Sequence, residues 1–163
     1  MANDAIETTH LDTKVYISTT SVNKDANLAT LAALTFKEIE SVGNLGDYGV
    51  SPNNVNYNTL GRPVVTKSKG VQDAGDMQLE VAYLFDDEGQ VQLRAAAATK
   101  FNWCIKIEYP DAPGVGWSNT IRYLKGIVAG PMNMGGGPDD FVRQQFTVGL
   151  NAIPITVDPV HTP

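Results

Sequence analysis

The stretch Asp76-Met-Gln-Leu-Glu-Val-Ala-Tyr-Leu-Phe85 alternates between polar and apolar side chains over most of its length. A period of two residues is typical of a β-strand that buries one face and exposes the other. The polar face carries Asp76, Gln78 and Glu80, and the apolar face carries Met77, Leu79, Val81, Tyr83 and Phe85. The stretch therefore predicts a half-buried strand that needs an apolar surface to pack against.

A helix and a second strand are predicted directly after it. The segment 86–100 is rich in strong helix formers, begins with Asp86-Asp-Glu88 and ends at Lys100, which suits the helix dipole at both ends. The next segment alternates again, and its apolar positions are Phe101, Trp103, Ile105, Ile107 and Tyr109. Two half-buried strands with a helix between them bury their apolar faces only when further strands pack on them.

Those further strands are predicted on both sides of this unit. Clear alternation recurs at Lys14–Thr20, Ile121–Val128 and Phe141–Leu150, whereas the glycine-rich segment Gly130–Asp140 is predicted to be a flexible connection. The last strand continues to Val157 beyond a break at a proline. The predicted fold class is mainly β: a β-sandwich or barrel of six or seven strands with one flanking α-helix.

Two segments leave the local structure open. Ser21–Leu34 fits either a short helical turn or an ordered loop. Thr35–Val42 has apolar residues three apart, which a helix also allows. Its β-branched content favours a strand with a bulge at Lys37–Glu38, which would reset the alternation.

The segment Gly43–Gly75 lacks clean periodicity and is rich in glycine and asparagine. A connection of about thirty residues is much longer than usual, which points to function or disorder. It is too apolar for a solvated linker, and we predict that it is an assembly loop that packs on another subunit. The side chains expected to make that contact are Tyr48, Val50, Val55, Tyr57, Leu60, Val64 and Val65.

Composition limits the possible functions. The chain has 163 residues, which is a single-domain length, and its formal net charge of −6 argues against binding nucleic acid through phosphate contacts. Cys104 is the only cysteine, so an intrachain disulfide is excluded. No signal peptide and no run of about 20 apolar residues is present, so we expect a protein made in a cytoplasm.

No candidate catalytic or metal-binding group is complete. His10 and His161 lie in the two predicted tails, and one histidine beside Asp158 is not a metal site. Asp86, Asp87 and Glu88 resemble a cation site, but acids are expected at a helix start for dipole reasons alone. The glycine-rich run 130–137 lacks the lysine and the hydroxyl residue of a phosphate loop. We therefore expect no enzyme activity and no cofactor.

The order of these elements resembles that of the tail tube proteins of long, non-contractile-tailed bacteriophages. The resemblance covers most of residues 13–157. It follows Val15-Tyr-Ile-Ser-Thr19, Thr35-Phe-Lys-Glu-Ile-Glu-Ser-Val42, the long loop, Met77-Gln-Leu-Glu-Val-Ala-Tyr83, Gly89-Gln-Val-Gln-Leu-Arg-Ala95, Phe101-Asn-Trp-Cys-Ile-Lys-Ile107 and Phe146-Thr-Val-Gly-Leu150.

The resemblance implies one tail-tube domain over residues 1–163, with flexible tails at 1–12 and 158–163 and no C-terminal immunoglobulin-like domain. It implies hexameric rings that stack into a tube, the conduit for DNA in the virion tail, after synthesis in the host cytoplasm. Its implied partners are copies of itself and other tail proteins at the tube ends, while DNA passes without specific binding. The residues predicted to face the channel are Glu38, Glu40, Asp76, Gln78 and Glu80.

Two other functions fit the sequence. One is the tube protein of a contractile secretion system, which shares the architecture. The other is a β-sandwich module that binds a small ligand or a peptide in a cleft between loops. Such a cleft would be lined by aromatic side chains: Tyr48, Tyr57, Trp103, Trp117 and Tyr123.

Overall fold

The computed structural model describes residues 7–163, so the first half of the predicted N-terminal tail, 1–6, lies outside the described residues. The elements follow in the order β1 (Lys14–Ser18), α1 (Leu28–Ala32), β2 (Phe36–Ile39), β3 (Val42–Leu45), β4 (Asn54–Tyr57), β5 (Thr66–Lys69), β6 (Asp76–Ala82), α2 (Glu88–Ala97), β7 (Asn102–Glu108), β8 (Ile121–Met134), β9 (Arg143–Leu150) and β10 (Ile155–Val157).

Eight strands form one antiparallel sheet. Its strand order is β2-β1-β7-β8-β9-β6-β3, and β10 pairs with the beginning of β8. β4 and β5 pair only with each other, in a separate two-stranded hairpin. The mainly β fold with a flanking helix is therefore confirmed, with more strands than the sequence predicts and a second short helix.

The two edge strands β2 and β3 are joined by only two residues, Glu40 and Ser41. A chain step of this length spans about 10 Å from Ile39 to Val42, so the sheet must curl until its edges approach each other. Ser41 makes the corner with a left-handed φ of 56°, and its carbonyl accepts a hydrogen bond from the Ala82 N–H at 2.9 Å.

The inner face of this curled sheet holds the core. The alternating side chains of the predicted strands are buried there: Met77, Leu79 and Val81 on β6, Ile105 and Ile107 on β7, and Phe146 and Val148 on β9. The pattern fails at the strand ends. Phe85 and Phe101 were predicted to be core residues, but they lie beyond Ala82 and before Asn102 and are 75% and 64% exposed.

The start of α2 packs directly on the backbone of β2. Asp87 caps the helix by accepting a hydrogen bond from the Gln90 N–H at 2.8 Å. A Cβ at Gly89 would lie 1.9 Å from the Glu38 carbonyl oxygen, so only glycine allows this approach. The predicted helix is therefore confirmed. Asp87 is needed at its start as a cap, and Gly89 is needed for close packing on β2.

The fully buried side chain of Gln90 connects three parts of the chain. Its Nε2 donates hydrogen bonds to the carbonyls of Glu40 at 3.0 Å and Ala82 at 2.8 Å, and its Oε1 accepts from the Leu84 N–H at 2.9 Å. These bonds satisfy the backbone where β2 ends and where β6 ends. One amide thus fixes α2 to both edge regions of the sheet.

A second, smaller cluster lies on the outer face of β7 and β8. Leu31 of α1 is buried with Cys104 and Tyr123, and Ile155 of β10 packs against them. The face of β7 that carries Cys104, opposite the core face, is therefore covered. Burial raises the pKa of the Cys104 thiol to about 12. The open question for Ser21–Leu34 is answered by α1, which Asn27 caps through the Thr30 N–H at 3.0 Å.

Two segment predictions are wrong. Thr35–Val42 is not one bulged strand, because β2 and β3 lie at opposite ends of the strand order with the Ser41 corner between them. Gly130–Asp140 is not wholly a connection, because β8 continues to Met134 and pairs with β9 beyond a register shift.

The C-terminal tail, predicted to be flexible, makes regular contacts. Residues around 160–162 pair with the loop 116–118 through backbone hydrogen bonds, and the ring of His161 lies 5.2 Å from that of Trp117.

We expect Gln90→Glu to lower the free energy of unfolding by about 3 kcal/mol or more, because two buried carbonyls lose their donor and a carboxylate replaces it. Chemical denaturation at neutral pH measures this loss. Gln92→Glu is the matched control, two residues further along α2 at a half-buried side chain. It should change the free energy of unfolding by less than about 0.5 kcal/mol. Equal effects of the two substitutions would contradict the role given to the Gln90 amide.

Candidate assembly surfaces

Within 7–163, no group of three or more His, Cys, Asp and Glu side chains could hold a metal ion. In the same range, no helix has the length and apolar character needed to cross a membrane.

The β4–β5 hairpin is the most exposed part of the described chain. We call residues 51–73 the arm. At its base Ser51 and Asp73 form an antiparallel bridge, closed by the Ser51 N–H to Asp73 carbonyl hydrogen bond at 2.9 Å. Every residue of both arm strands is exposed. The arm therefore projects from the body without a covering layer among the described residues.

The two faces of the arm differ in chemistry. Asn54 pairs with Lys69 and Asn56 with Lys67, while Val55 pairs with Ser68 and Tyr57 with Thr66. Directly opposed residues of an antiparallel pair point to the same side, so one face is basic and the other carries the apolar groups. Five of the seven predicted contact residues are exposed on the arm: Val55, Tyr57, Leu60, Val64 and Val65.

The other two predicted contact residues lie nearer the body. Tyr48 packs against the core, and its hydroxyl hydrogen-bonds that of Tyr109 and accepts from Arg122 Nη1 at 3.3 Å. The Arg122 guanidinium also lies over both tyrosine rings, 5.7 and 5.4 Å from their centroids. Burial, reinforced by the hydrogen bond to Tyr48, raises the pKa of Tyr109. Val50 is half-buried.

The predicted assembly loop, 43–75, is therefore two structures. Its first residues form β3, which pairs with β6, and continue to the anchored Tyr48. The projecting part is the shorter arm, 51–73. Sequence reasoning missed the division because strands of four residues among asparagines and glycines give too short a pattern to predict a strand.

A polar outer face runs along β6 and β9. Asp76, Gln78 and Glu80 alternate with buried residues and share this face, as the sequence predicts. Thr147 Oγ1 donates to Gln78 Oε1 at 2.9 Å, and Arg143 Nη1 lies 3.1 Å from Glu80 Oε1. Arg143 thus neutralises Glu80 locally, while Asp76 and Gln78 remain exposed.

Glu38 and Glu40 do not join that face. Glu38 lies on β2 at the other edge of the sheet, and Glu40 lies in the two-residue corner. They line a groove of about 490 Å³ between β2 and the start of α2, which we call the α2 groove. Its lining residues are Phe36, Lys37, Glu38, Glu40, Leu84, Asp86, Asp87 and Glu88. Acidic residues distant in sequence meet there because α2 packs on β2, a contact that sequence spacing does not reveal.

The aromatic residues of the alternative ligand cleft are dispersed. Trp103 belongs to the inner core and Tyr123 to the outer cluster, on opposite faces of the sheet. Tyr57 lies on the arm, and Trp117 packs on His161. The aromatic contacts of these residues are with others instead: Tyr48 with Tyr109, Tyr123 with Phe36 and Trp117 with His161. The five do not line one cleft.

This fold is also found in an extracellular contractile injection system. The chain superimposes on the cryo-EM structure of the sheath/tube terminator of an extracellular contractile injection system, PVC, in its extended state, with a TM-score of 0.66. The match covers 93% of this chain and 97% of that chain at 9% sequence identity, so what it establishes is a shared fold. No protein-family model and no curated protein matches the sequence.

We expect Tyr48→Phe to lower the free energy of unfolding by about 0.5–1.5 kcal/mol, since one hydroxyl serves both Tyr109 and Arg122. It should also speed amide hydrogen exchange at 46–50, where the loop leaves the body. Tyr57→Phe is the control on the same loop and should change neither quantity, because its side chain is 69% exposed. Unchanged exchange in the Tyr48 variant would show that the hydroxyl does not anchor the loop.

Proposed function

We propose that this chain is a structural subunit of a phage-type tail that polymerises into stacked hexameric rings. In this proposal the rings form the tail tube, which conducts DNA into the host cell. The arm is the observation that carries the proposal. A projecting, partly apolar hairpin has no use in an isolated subunit, and it is what a protein built to contact its own copies requires.

Energetics favour an arm that is stabilised by assembly. A two-stranded hairpin alone is marginally stable in water, and each ordered residue costs on the order of 1–2 kcal/mol of backbone entropy. Full burial of a side chain such as Val55 or Tyr57 on a neighbour returns about 1.5–3 kcal/mol. Contact with another copy therefore shifts the balance towards order.

The polar face of β6 and β9 is suited to line the channel. Asp76 and Gln78 present oxygen atoms and an amide there, the cation Arg143 on the same face is paired with Glu80, and the chain as a whole carries a net charge of −6. A conduit of this kind lets DNA pass without specific binding. Glu38 and Glu40 lie in the α2 groove and are better suited to contacts between subunits. Catalysis and cofactors have no place in this function.

Two neighbouring functions remain as candidates within the same class. The shared fold is that of a protein from a contractile system, which favours a contractile relative at least as well as the long non-contractile tail. The same neighbour is a sheath/tube terminator, and a terminator would form one ring that caps a tube. The partners would then be tube and sheath subunits in addition to other tail proteins at the tube ends.

Electron microscopy of the purified full-length protein tests these alternatives. We expect long tubes of uniform diameter with six-fold symmetry. Isolated rings that do not stack would support the terminator. Monomers at every protein concentration would contradict the proposal.

Replacing residues 53–71 with Asn-Gly should abolish tubes and leave the subunit folded. Ser51 and Asp73 are already paired, so Pro52-Asn-Gly-Gln72 would form a four-residue loop that closes the hairpin. We expect the thermal transition of the unassembled subunit to change little, because the arm contributes no residue to the core clusters. As a control, shortening the exposed loop 135–137 should leave tubes intact. Tubes of normal length from the armless chain would contradict the role of the arm.

Adding cations to the proposed channel face should make tubes retain DNA. Asp76→Lys with Gln78→Lys adds three positive charges per subunit, so binding of short duplex DNA should appear at low salt and vanish as salt is raised. Asp139→Lys with Gln72→Lys adds the same charge at two other exposed positions and should retain less DNA. Equal retention by the two variants would show that the β6–β9 face does not line the channel.

A further inference from the structure

We propose that the arm of one copy docks in the α2 groove of a second copy with the face of Lys67 and Lys69 inward, which leaves the opposite face, with Val55 and Tyr57, to pack on a further subunit. This inference rests on the proposed function, since it names the contact that joins the subunits. It is carried by the two surfaces themselves, which are opposite in charge and both uncovered.

The arm is a basic element in an acidic protein. The arm contains Arg62, Lys67 and Lys69 and one acid, Asp73 at its base, whereas the whole chain has a net charge of −6. Lys67 and Lys69 lie on one face with Asn54 and Asn56. Both strands are exposed along their whole length, so the arm does not occupy the α2 groove of its own chain.

The α2 groove has the opposite charge and two apolar residues in its lining. Five of its eight lining residues are acids and one is a lysine, and Phe36 and Leu84 supply the apolar part. Lys37 pairs with Glu88 at 3.5 Å, and Lys14 pairs with Glu38 at 3.8 Å. The Asp87 carboxylate is used by the Gln90 and Glu40 N–H groups.

Two carboxylates of the α2 groove are left without a cation. Among the ion pairs of residues 7–163, neither Glu40 nor Asp86 takes part, and both residues are exposed. The arm offers two lysines, two positions apart on one strand, with amide groups opposite them. Charge complementarity of this kind sets register and orientation at an interface and speeds association. A second copy of this chain supplies both charge patterns, so the contact repeats from subunit to subunit.

The contact is heterologous, because the arm and the α2 groove are different surfaces. Such contacts generate closed rings or open helical stacks, which are the two geometries that a tube combines. The arm would therefore act between successive copies, in a ring or between rings.

Charge reversal and complementation test this docking. Lys67→Glu with Lys69→Glu should raise the critical concentration for assembly at least about tenfold, and so should Glu40→Lys with Asp86→Lys. These substitutions avoid Gln90, Asp87 and the core, so the thermal transition of each unassembled variant should match that of the wild type. An equimolar mixture of the two variants should assemble near the wild-type concentration, because each reversed arm then meets a reversed groove.

Matched controls separate this contact from general charge effects. Lys24→Glu with Lys100→Glu reverses two exposed lysines elsewhere, and Asp25→Lys with Asp139→Lys reverses two exposed acids. Both should assemble like the wild type. Raising the salt concentration should weaken wild-type assembly and leave the order of the variants unchanged.

Four outcomes would overturn the docking. The first is assembly of either reversed variant at the wild-type critical concentration, and the second is failure of the mixture to assemble near that concentration. The third is an equal rise in critical concentration for the control pairs. The fourth is a Lys67→Glu, Lys69→Glu variant that assembles normally and loses only binding of duplex DNA.

Sedimentation separates this proposal from the proposed function. Small oligomers that depend on these four residues, without tubes, would retain the docking and reject the tail tube. Tubes that form equally well after substitution of these residues would retain the tail tube and reject the docking. A wild-type chain that never self-associates would reject both.

Discussion

The amide of Gln90 and the missing side chain of Gly89 hold the fold together at one point. Gly89 lets α2 approach the β2 backbone closely enough for Gln90 to reach the carbonyls of Glu40 and Ala82. Those carbonyls belong to the corner between the edge strands and to the end of β6. The position of α2 and the shape of the α2 groove depend on this contact, which also ties the corner between β2 and β3 to the end of β6. It also explains why a neutral amide is needed, since a buried charge in its place would be costly.

The same arrangement separates the chemistry of the chain. The body is acidic, its core is closed on the inner face of the sheet, and its small outer cluster is closed by α1 and β10. Among residues 7–163 the cations of the arm take part in no ion pair, and the strand that carries Lys67 and Lys69 is exposed along its whole length. Surfaces of opposite charge on one chain are complementary to each other between two copies, which is the contact proposed above.

Sequence reasoning was accurate where periodicity was strong. The β6, α2 and β7 unit, the core side chains on it and the shared face of Asp76, Gln78 and Glu80 all follow from alternation and helix propensity. It failed at Ser41, because a left-handed serine leaves no signal in the sequence and turns one predicted strand into two. The far end of β8 was missed because almost all of its residues are exposed and they show no hydrophobic period. The arm was missed because its alternation is limited to Val55 and Tyr57 among asparagines. Glu38 and Glu40 were predicted to share a face with Asp76, Gln78 and Glu80, and they do not, because the corner at Ser41 separates β2 from β3.

The buried Cys104 has a consequence for the life of an assembled particle. It is the only cysteine in the chain, it has no exposed surface, and at neutral pH its sulfur is held as the thiol. Copies packed side by side therefore cannot be crosslinked or scrambled through disulfides unless the layer of α1 and β10 opens. A polymer of this chain would pass from a reducing cell interior to an oxidising medium without covalent change at its cysteines.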